Sequence, residues 1–285
     1  MKKNEEISVL KASGEKEIFS FEKLRNSLLR SKVPGEDIDK IIEEVKTQIY
    51  PGISTKKIYS IAFHLIKKSS PPSASRYYLK KGLMDLGPSG FPFEKYISEL
   101  FKWKGYKTEV DIILQGKCVS HEIDIIGNKE STILLAECKY KNQQGVSVDV
   151  KVPLYINSRF QDLMDNCILK KPFTKFEGWI ITNSRFTQDA LAFSKCKNIQ
   201  LLGWDYPNHS ALREIIDNSG LYPITCLTTI TQYEKKELLQ KGIILVRDIC
   251  ANEQVLERVR IDSKRFNTIL DESKKLCGTE DAKKQ

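Results

Sequence analysis

The sequence predicts an α/β protein in three parts: a small α+β domain over residues 1–86, an α/β domain over residues 91–208, and a small helical module over residues 209–285. Three observations predict this partition. The connection LGPSGFPF, residues 86–93, places two prolines and two glycines between two helical patterns and reads as a domain boundary. The middle of the chain alternates short apolar strands with helical patterns, ending in a β–α–β series over residues 178–205. Beyond about residue 209 the pattern becomes helical again.

The first part opens with ISVLKASGEKEIFSFEKLRNSLLRSKV, residues 7–33. An alternating strand runs to a turn at Ser13 and Gly14, returns through Glu17 to Phe19, and enters a helix. GISTKKIYSIAFHLIKK and SASRYYLKKGLMDLG continue as helices. Residues 1–86 carry 17 lysines and arginines against 11 acids, a surplus of six in a chain whose total is +9, so the excess cation sits in this part. Such an excess suits an anionic ligand or a DNA backbone equally.

The second part opens with an amphipathic helix, FPFEKYISELFKWKGY, residues 91–106, whose apolar stripe is Phe93, Tyr96, Ile97, Leu100 and Phe101. At about 100° per residue Glu94 falls beside that stripe, whereas Glu99 lies round the polar side. The strand TILLAECKYK, residues 132–141, follows Asp124 of the HEID stretch, with Glu137 thirteen residues after that aspartate and Lys139 two residues further on. Alternation points Ile133, Leu135, Glu137 and Lys139 to one face. A carboxylate and an ammonium on an otherwise apolar strand cost several kcal/mol unless paired or bound to a metal. Phosphodiester hydrolysis supplies a use for them. Mg²⁺ takes oxygen ligands and keeps several waters, so carboxylates on adjacent strands, here Asp124 and Glu137, can hold it beside a phosphate. Lys139 can then position the nucleophile or offset developing charge. In GWIITNSRFTQDALAFSKCKNIQLLGWD, residues 178–205, WIIT and IQLL read as short buried strands joined by a helix that Thr187 can cap.

These residues, from about Phe91 to Asp205, resemble the PD-(D/E)xK nuclease superfamily, and within it the Mrr-like restriction endonucleases and the related archaeal Holliday junction resolvases. The resemblance implies a mixed sheet flanked by helices and a Mg²⁺- or Mn²⁺-dependent deoxyribonuclease. It assigns Glu94, Asp124, Glu137 and Lys139 to catalysis, with the three acids as metal ligands. The chain departs from many members after the ECK strand. Where they place a glutamine on the next helix, this sequence reads DVKVPLYINSRFQDLMD, residues 149–165, with Lys151, Tyr155 and Arg159 as its polar candidates. His121 reads as a packed or surface histidine rather than a ligand.

The first part resembles the ATP-cone, the nucleotide-sensing module of ribonucleotide reductases and their transcriptional regulator, through Val9, Lys11, Gly14, Phe19, Lys23 and Ser27. That resemblance implies ATP or dATP as a regulatory ligand, with Lys11 and Lys23 at the phosphates and Val9 and Glu17 nearer the base or ribose. No Walker loop ending in GKS or GKT occurs, so P-loop hydrolysis of ATP is not supported.

Residues 228–276 resemble a helix-hairpin-helix-like or SAM-like module, with Gly242 at a turn, although the glycine-x-glycine hairpin is missing. Such modules offer backbone amides to DNA phosphate. Lys241, Lys264 and Arg265 are the candidate contacts. DNA binding and simple packing or dimer contacts remain equal alternatives for this segment.

Composition supports a globular protein. At 40% hydrophobic and 29% charged residues the chain can bury more than one core. The start MKKNEEIS lacks the apolar segment of a secretory signal, and no run approaches the ~18 to 20 apolar residues that span a bilayer, so no membrane partner is expected. Seven cysteines stand singly, at least nineteen residues apart, which excludes a CxxC zinc site and suits a reducing cytoplasm. The polar tail from residue 278 is expected to contribute little. The combined expectation is a nucleotide-regulated endonuclease acting in restriction of foreign DNA or in DNA repair, a homodimer if it cuts both strands. The alternatives are a junction-resolving nuclease and a nucleotide-responsive DNA-binding regulator with a silent nuclease fold.

Overall fold

The computed structural model of the protein describes residues 7–11, 14–143, 145–166 and 175–278. Ser13 and the tail from residue 279 lie outside the described residues. The chain divides into two compact units. One comprises residues 1–81, 226–238 and 246–285; the other comprises residues 82–225 and 239–245.

The first unit begins with a three-stranded sheet in the order β2-β1-β3, made of β1 (Ser8–Leu10), β2 (Lys16–Ile18) and β3 (Ile53–Ser54). β1 is central, antiparallel to β2 and parallel to β3. Helix α1 (Phe21–Arg30) starts where the Ser20 hydroxyl accepts the Lys23 N–H at 3.2 Å. Helix α2 (Gly35–Gln48) places Glu36 and Asp37 in its first turn and buries Ile38, Ile41, Ile42 and Val45, the three-and-four spacing of a core face. Helix α3 (Thr55–Ser69) is capped by Ser54 and buries Ile58, Ala62 and Ile66; α4 spans Pro71–Met84. These faces close on Val9, Leu28 and Ile53 to make one core.

The second unit is built on a five-stranded mixed sheet. Helix α5 (Phe91–Trp103) buries the predicted stripe Phe93, Tyr96, Ile97, Leu100 and Phe101, and leads into β4 (Lys107–Gln115), β5 (Ser120–Lys129) and β6 (Thr132–Cys138). A short strand β7 (Ser147–Val148) precedes α6 (Lys151–Asp165). Then follow β8 (Lys175–Ile181), β9 (Arg185–Phe186), α7 (Gln188–Cys196), β10 (Gln200–Leu202) and α8 (Leu212–Ser219). Sheet order is β10-β8-β6-β5-β4, with β6, β8 and β10 parallel and β4 and β5 antiparallel additions. Thr187 caps α7 through the Ala190 N–H, as its place in the sequence predicts. This is a mixed α/β arrangement consistent with a restriction-endonuclease-like fold.

The carboxy-terminal segment is helical: α9 (Gln232–Gln240), α10 (Val246–Ala251), α11 (Gln254–Arg258) and α12 (Phe266–Cys277). The predicted partition, with residues 209–285 as a module of their own, differs from the division in the structure, because most of α9 to α12 belongs to the first unit. The physical reason is a buried carboxylate. Glu272 of α12 accepts the Ser75 hydroxyl of α4 at 2.6 Å, the Thr228 and Thr229 N–H groups at 2.9 and 3.0 Å, and both threonine hydroxyls. Arg76 donates to the Lys275 carbonyl at 2.8 Å beside it. Hydrogen bonds between residues so far apart in the chain leave no periodic trace in its sequence. No helix among the described residues is long and apolar enough to cross a membrane.

Candidate nuclease centre

The β5–β6 ladder stops at the pair Ile125 and Ala136. One step further in the same register lie Asp124 and Glu137, so the two acids face each other across neighbouring strands where the pairing ends. The Asp124 Oδ2 accepts the Cys138 N–H at 2.6 Å, replacing a ladder bond with a side-chain one and fixing the carboxylate. On the far side β6 stays paired with β8 through Cys138 and Ile181.

Glu137 is buried at 4% exposure and is held by two cations. Lys139 Nζ lies 2.5 Å from Oε1 and Arg159 Nη1 lies 2.8 Å from Oε2. A buried carboxylate persists as an anion only with such partners. Arg159 comes from α6 and is itself only 11% exposed. Its neighbour Phe160 is seated on Gly178 of β8, where an added Cβ would come within 2.8 Å of the Phe160 ring. That close helix-to-sheet approach brings α6, and with it Arg159, beside the Glu137 carboxylate.

Glu94 projects from the first turn of α5. Burial, then the charges of Asp124, Asp111, Glu137 and Glu122, push its carboxyl up to about 7. Asp124 is pushed up to about 6 by burial and by Glu137, against the opposing Cys138 N–H, Lys139 and Arg159. The structure therefore brings Asp124, Glu137 and Lys139 together and sets Glu94 within range of their charge. Among the described residues no group of three or more histidine, cysteine, aspartate or glutamate side chains could hold a metal ion, so the three-acid set is not drawn in around one point. The donor chemistry fits a hard divalent cation held by two carboxylates: Asp124 and Glu137 are oxygen donors on adjacent strands, and burial first, then neighbouring acids, raises the Glu94 and Asp124 carboxyls.

Other candidates take structural places. Glu99 pairs with Lys102 at 2.7 Å. His121 Nε2 lies 2.8 Å from the Asp162 carboxylate, which also accepts the Cys118 and Val119 N–H groups and so ties the β4–β5 turn to α6. Lys151 and Tyr155 are exposed on α6. Cys138 is a core residue whose thiol burial pushes well above its ordinary value. Arg265, half-buried, donates to the Thr229 carbonyl at 2.6 Å and pairs with Glu234, so its guanidinium is engaged within the first unit.

Two site residues were not assigned from sequence. Arg159 carried a signal: it lies seven residues after Val152 and three after Ile156, within the buried stripe that continues through Phe160 and Leu163. A cation in an apolar stripe asks for a buried anion. Asp111 carried none. It lies in β4 between the pairs Val110–Ile125 and Ile112–Ile123, level with Asp124, and has a φ of +58°. Aspartate tolerates this left-handed conformation better than most residues, and such outliers gather at functional sites.

In the first unit, Lys11 Nζ lies 2.9 Å and Lys23 Nζ 3.9 Å from the two oxygens of Glu17. The Lys11 bond holds the Glu17 carboxyl below its ordinary value. Val9 pairs with Glu17 on one side and Ile53 on the other and is buried, so its side chain offers shape rather than a hydrogen-bonding edge.

Residues 88–206 match the restriction endonuclease family model, and residues 222–277 match the model of the AF1548-like C-terminal region. The match over residues 88–206 supports a PD-(D/E)xK-like nuclease domain and suggests a nuclease acting on DNA. An uncharacterized protein of Archaeoglobus fulgidus is 32% identical over 183 residues, covering 64% of this chain and 100% of that protein. The crystal structure of AF1548, a protein of unknown function, matches with a TM-score of 0.54 at 30% identity over 67% of this chain and 100% of its own. Can2 from Sulfobacillus thermosulfidooxidans in complex with cyclic tetra-adenylate reaches a TM-score of 0.31 at 13% identity over 66% of this chain and 60% of its own, too distant to carry an argument. The chain belongs to the AF1548-like family. Residues 1–87 lie outside both family matches.

Proposed function

We propose that the protein is a Mg²⁺-dependent DNA endonuclease, active also with Mn²⁺, whose centre is Asp124, Glu137 and Lys139 with Glu94 beside them. The observation that carries the reading is a buried glutamate where the β5–β6 pairing ends, across from an aspartate and in contact with the lysine two residues on. Asp124 and Glu137 would hold the cation. Bound there, Mg²⁺ would polarise a phosphoryl oxygen and lower the pKa of an attacking water. The Cys138 N–H keeps one oxygen of Asp124 fixed and leaves the other for the ligand role. Lys139, tethered to Glu137, can direct its ammonium at the attacking water or at charge gathering on the phosphate. Glu94, with a carboxyl at about 7, can take or release a proton near neutral pH.

The first unit extends this reading to regulation. Lys11, Glu17 and Lys23 meet beside the buried Val9, and an ATP or dATP phosphate arriving at the two lysines would displace Glu17 from them. A nucleotide-regulated nuclease of this kind suits restriction of foreign DNA or DNA repair, as a homodimer where both strands are cut. Incubation of plasmid DNA with Mg²⁺ tests the reading. Wild type is expected to nick or linearise it, and Asp124→Ala and Lys139→Ala to lose at least about a hundredfold in rate, the scale of removing one electrostatic contributor. Cutting that persists in both variants would reject the assigned centre; DNA binding without cutting by wild type would favour a regulator with a silent nuclease fold.

A further inference from the structure

We infer that Arg159 is a two-position residue: it holds Glu137 while no cation is bound and passes to a DNA phosphate when one arrives. The inference rests on the nuclease reading above. Glu137 has a cation on each oxygen, at 2.5 and 2.8 Å. A divalent ion drawn to this carboxylate meets repulsion from both. Lys139 is anchored by its backbone to the end of β8: the Lys139 N–H bonds the Ile181 carbonyl, and the Lys139 carbonyl accepts the Thr182 hydroxyl at 2.7 Å. Arg159 is different. It rides on a helix and contacts Glu137 through one nitrogen, and its guanidinium carbon stands 5.6 Å from the ring centroid of Tyr155, one turn back on the exposed side of α6. A guanidinium can rest against such a ring when it leaves its carboxylate.

Release has a chemical destination. Arginine offers five N–H donors in a planar fork matched to phosphate oxygens, and its charge persists at any pH the protein meets. Freed from Glu137, the fork lies beside the place where Asp124 and Glu137 would hold a cation against the DNA backbone. Arg159 is thus a positioning residue: it keeps a buried carboxylate satisfied before the cation binds and steadies the phosphate afterwards.

This predicts effects of opposite sign on two ligands. In the full chain, Arg159→Gln should bind Mg²⁺ about tenfold more tightly by calorimetry, the scale at which outer groups tune a metal site. The same variant should bind a fluorescent DNA duplex about tenfold more weakly by anisotropy, with Ca²⁺ in place of Mg²⁺, the scale of one charged hydrogen bond. Arg159→Lys keeps the charge and should restore Mg²⁺ affinity to near wild type while only partly restoring DNA affinity. Thermal melting of both variants shows whether each is folded. Unchanged affinities, or affinities that fall together, would make Arg159 a structural tether and overturn the inference; Mg²⁺-dependent cutting by wild type would then leave the nuclease reading standing. A wild type that binds no Mg²⁺ would overturn both.

Discussion

Two glutamates in this protein are each held between two cations, and the contrast between them is burial. Glu137 sits between Lys139 and Arg159 with its side chain 5% exposed; Glu17 sits between Lys11 and Lys23 with its side chain 35% exposed. The charges are alike, but the surrounding medium is not. Water screens the Glu17 cluster, so its ion pairs come and go and leave the lysines free for a stronger anion. The Glu137 cluster cannot be left half made, because a lone buried charge has no solvent to fall back on. One arrangement suits ready exchange with ions from solvent, the other a centre in which a cation leaves only when another takes its place.

The largest expected effect separates the two directly. Glu137→Gln strands Arg159 and Lys139 and should lower the unfolding free energy by about 3 kcal/mol, the usual result of breaking a buried pair from one side. Urea denaturation measures it. Glu17→Gln should leave the urea midpoint where it was. Equal losses in the two variants would show that burial does not distinguish the clusters.

The next effect depends on pH. Glu94 and Asp124 have carboxyls raised to about 7 and about 6 in the folded protein, against ordinary values of 4.5 and 3.8. A carboxyl raised on folding favours the native state while protonated, and that contribution is lost as pH rises through the folded value. Without divalent cation, wild type should therefore lose thermal stability relative to Glu94→Gln as pH climbs from about 4 to about 7, by a few degrees in melting temperature. Parallel melting curves at all pH values would mean that neither burial nor the neighbouring acids raise the Glu94 carboxyl. No such pH-dependent difference is expected for Glu17→Gln over this window, because the Glu17 carboxyl is lowered rather than raised.

The smallest effects belong to the exposed cluster. Lys11→Ala and Lys23→Ala should barely shift the melting temperature, yet each should weaken ATP binding several-fold in a manner that salt reduces, since an exposed phosphate contact is screened. Fluorescent-nucleotide titration at two ionic strengths reads this out. Unaltered ATP affinity in both variants would remove the nucleotide reading of the first unit.

Much of the second unit was legible in the sequence because its signals are local. Two-residue alternation placed Glu137 and Lys139 together, the helical stripe of α5 ran as expected from Phe93 to Phe101, and Thr187 announced the helix it caps. Arg159 was harder, since its meaning lies in a glutamate twenty-two residues away. Asp111 was invisible, because nothing in a strand pattern announces a left-handed residue. The union of α12 with α4 through Glu272, Ser75, Thr228 and Thr229 was equally hidden. It rests on one buried carboxylate gathering donors from distant segments, and a glutamate on a helix of mixed polarity looks like any surface acid.

The most direct test of the central claim is a titration of Mn²⁺ into the full chain followed by paramagnetic resonance, with wild type beside Asp124→Asn. Wild type should take up Mn²⁺ at a saturable site that Asp124→Asn loses. Saturable binding that survives unchanged in the variant would contradict a centre built on Asp124 and Glu137.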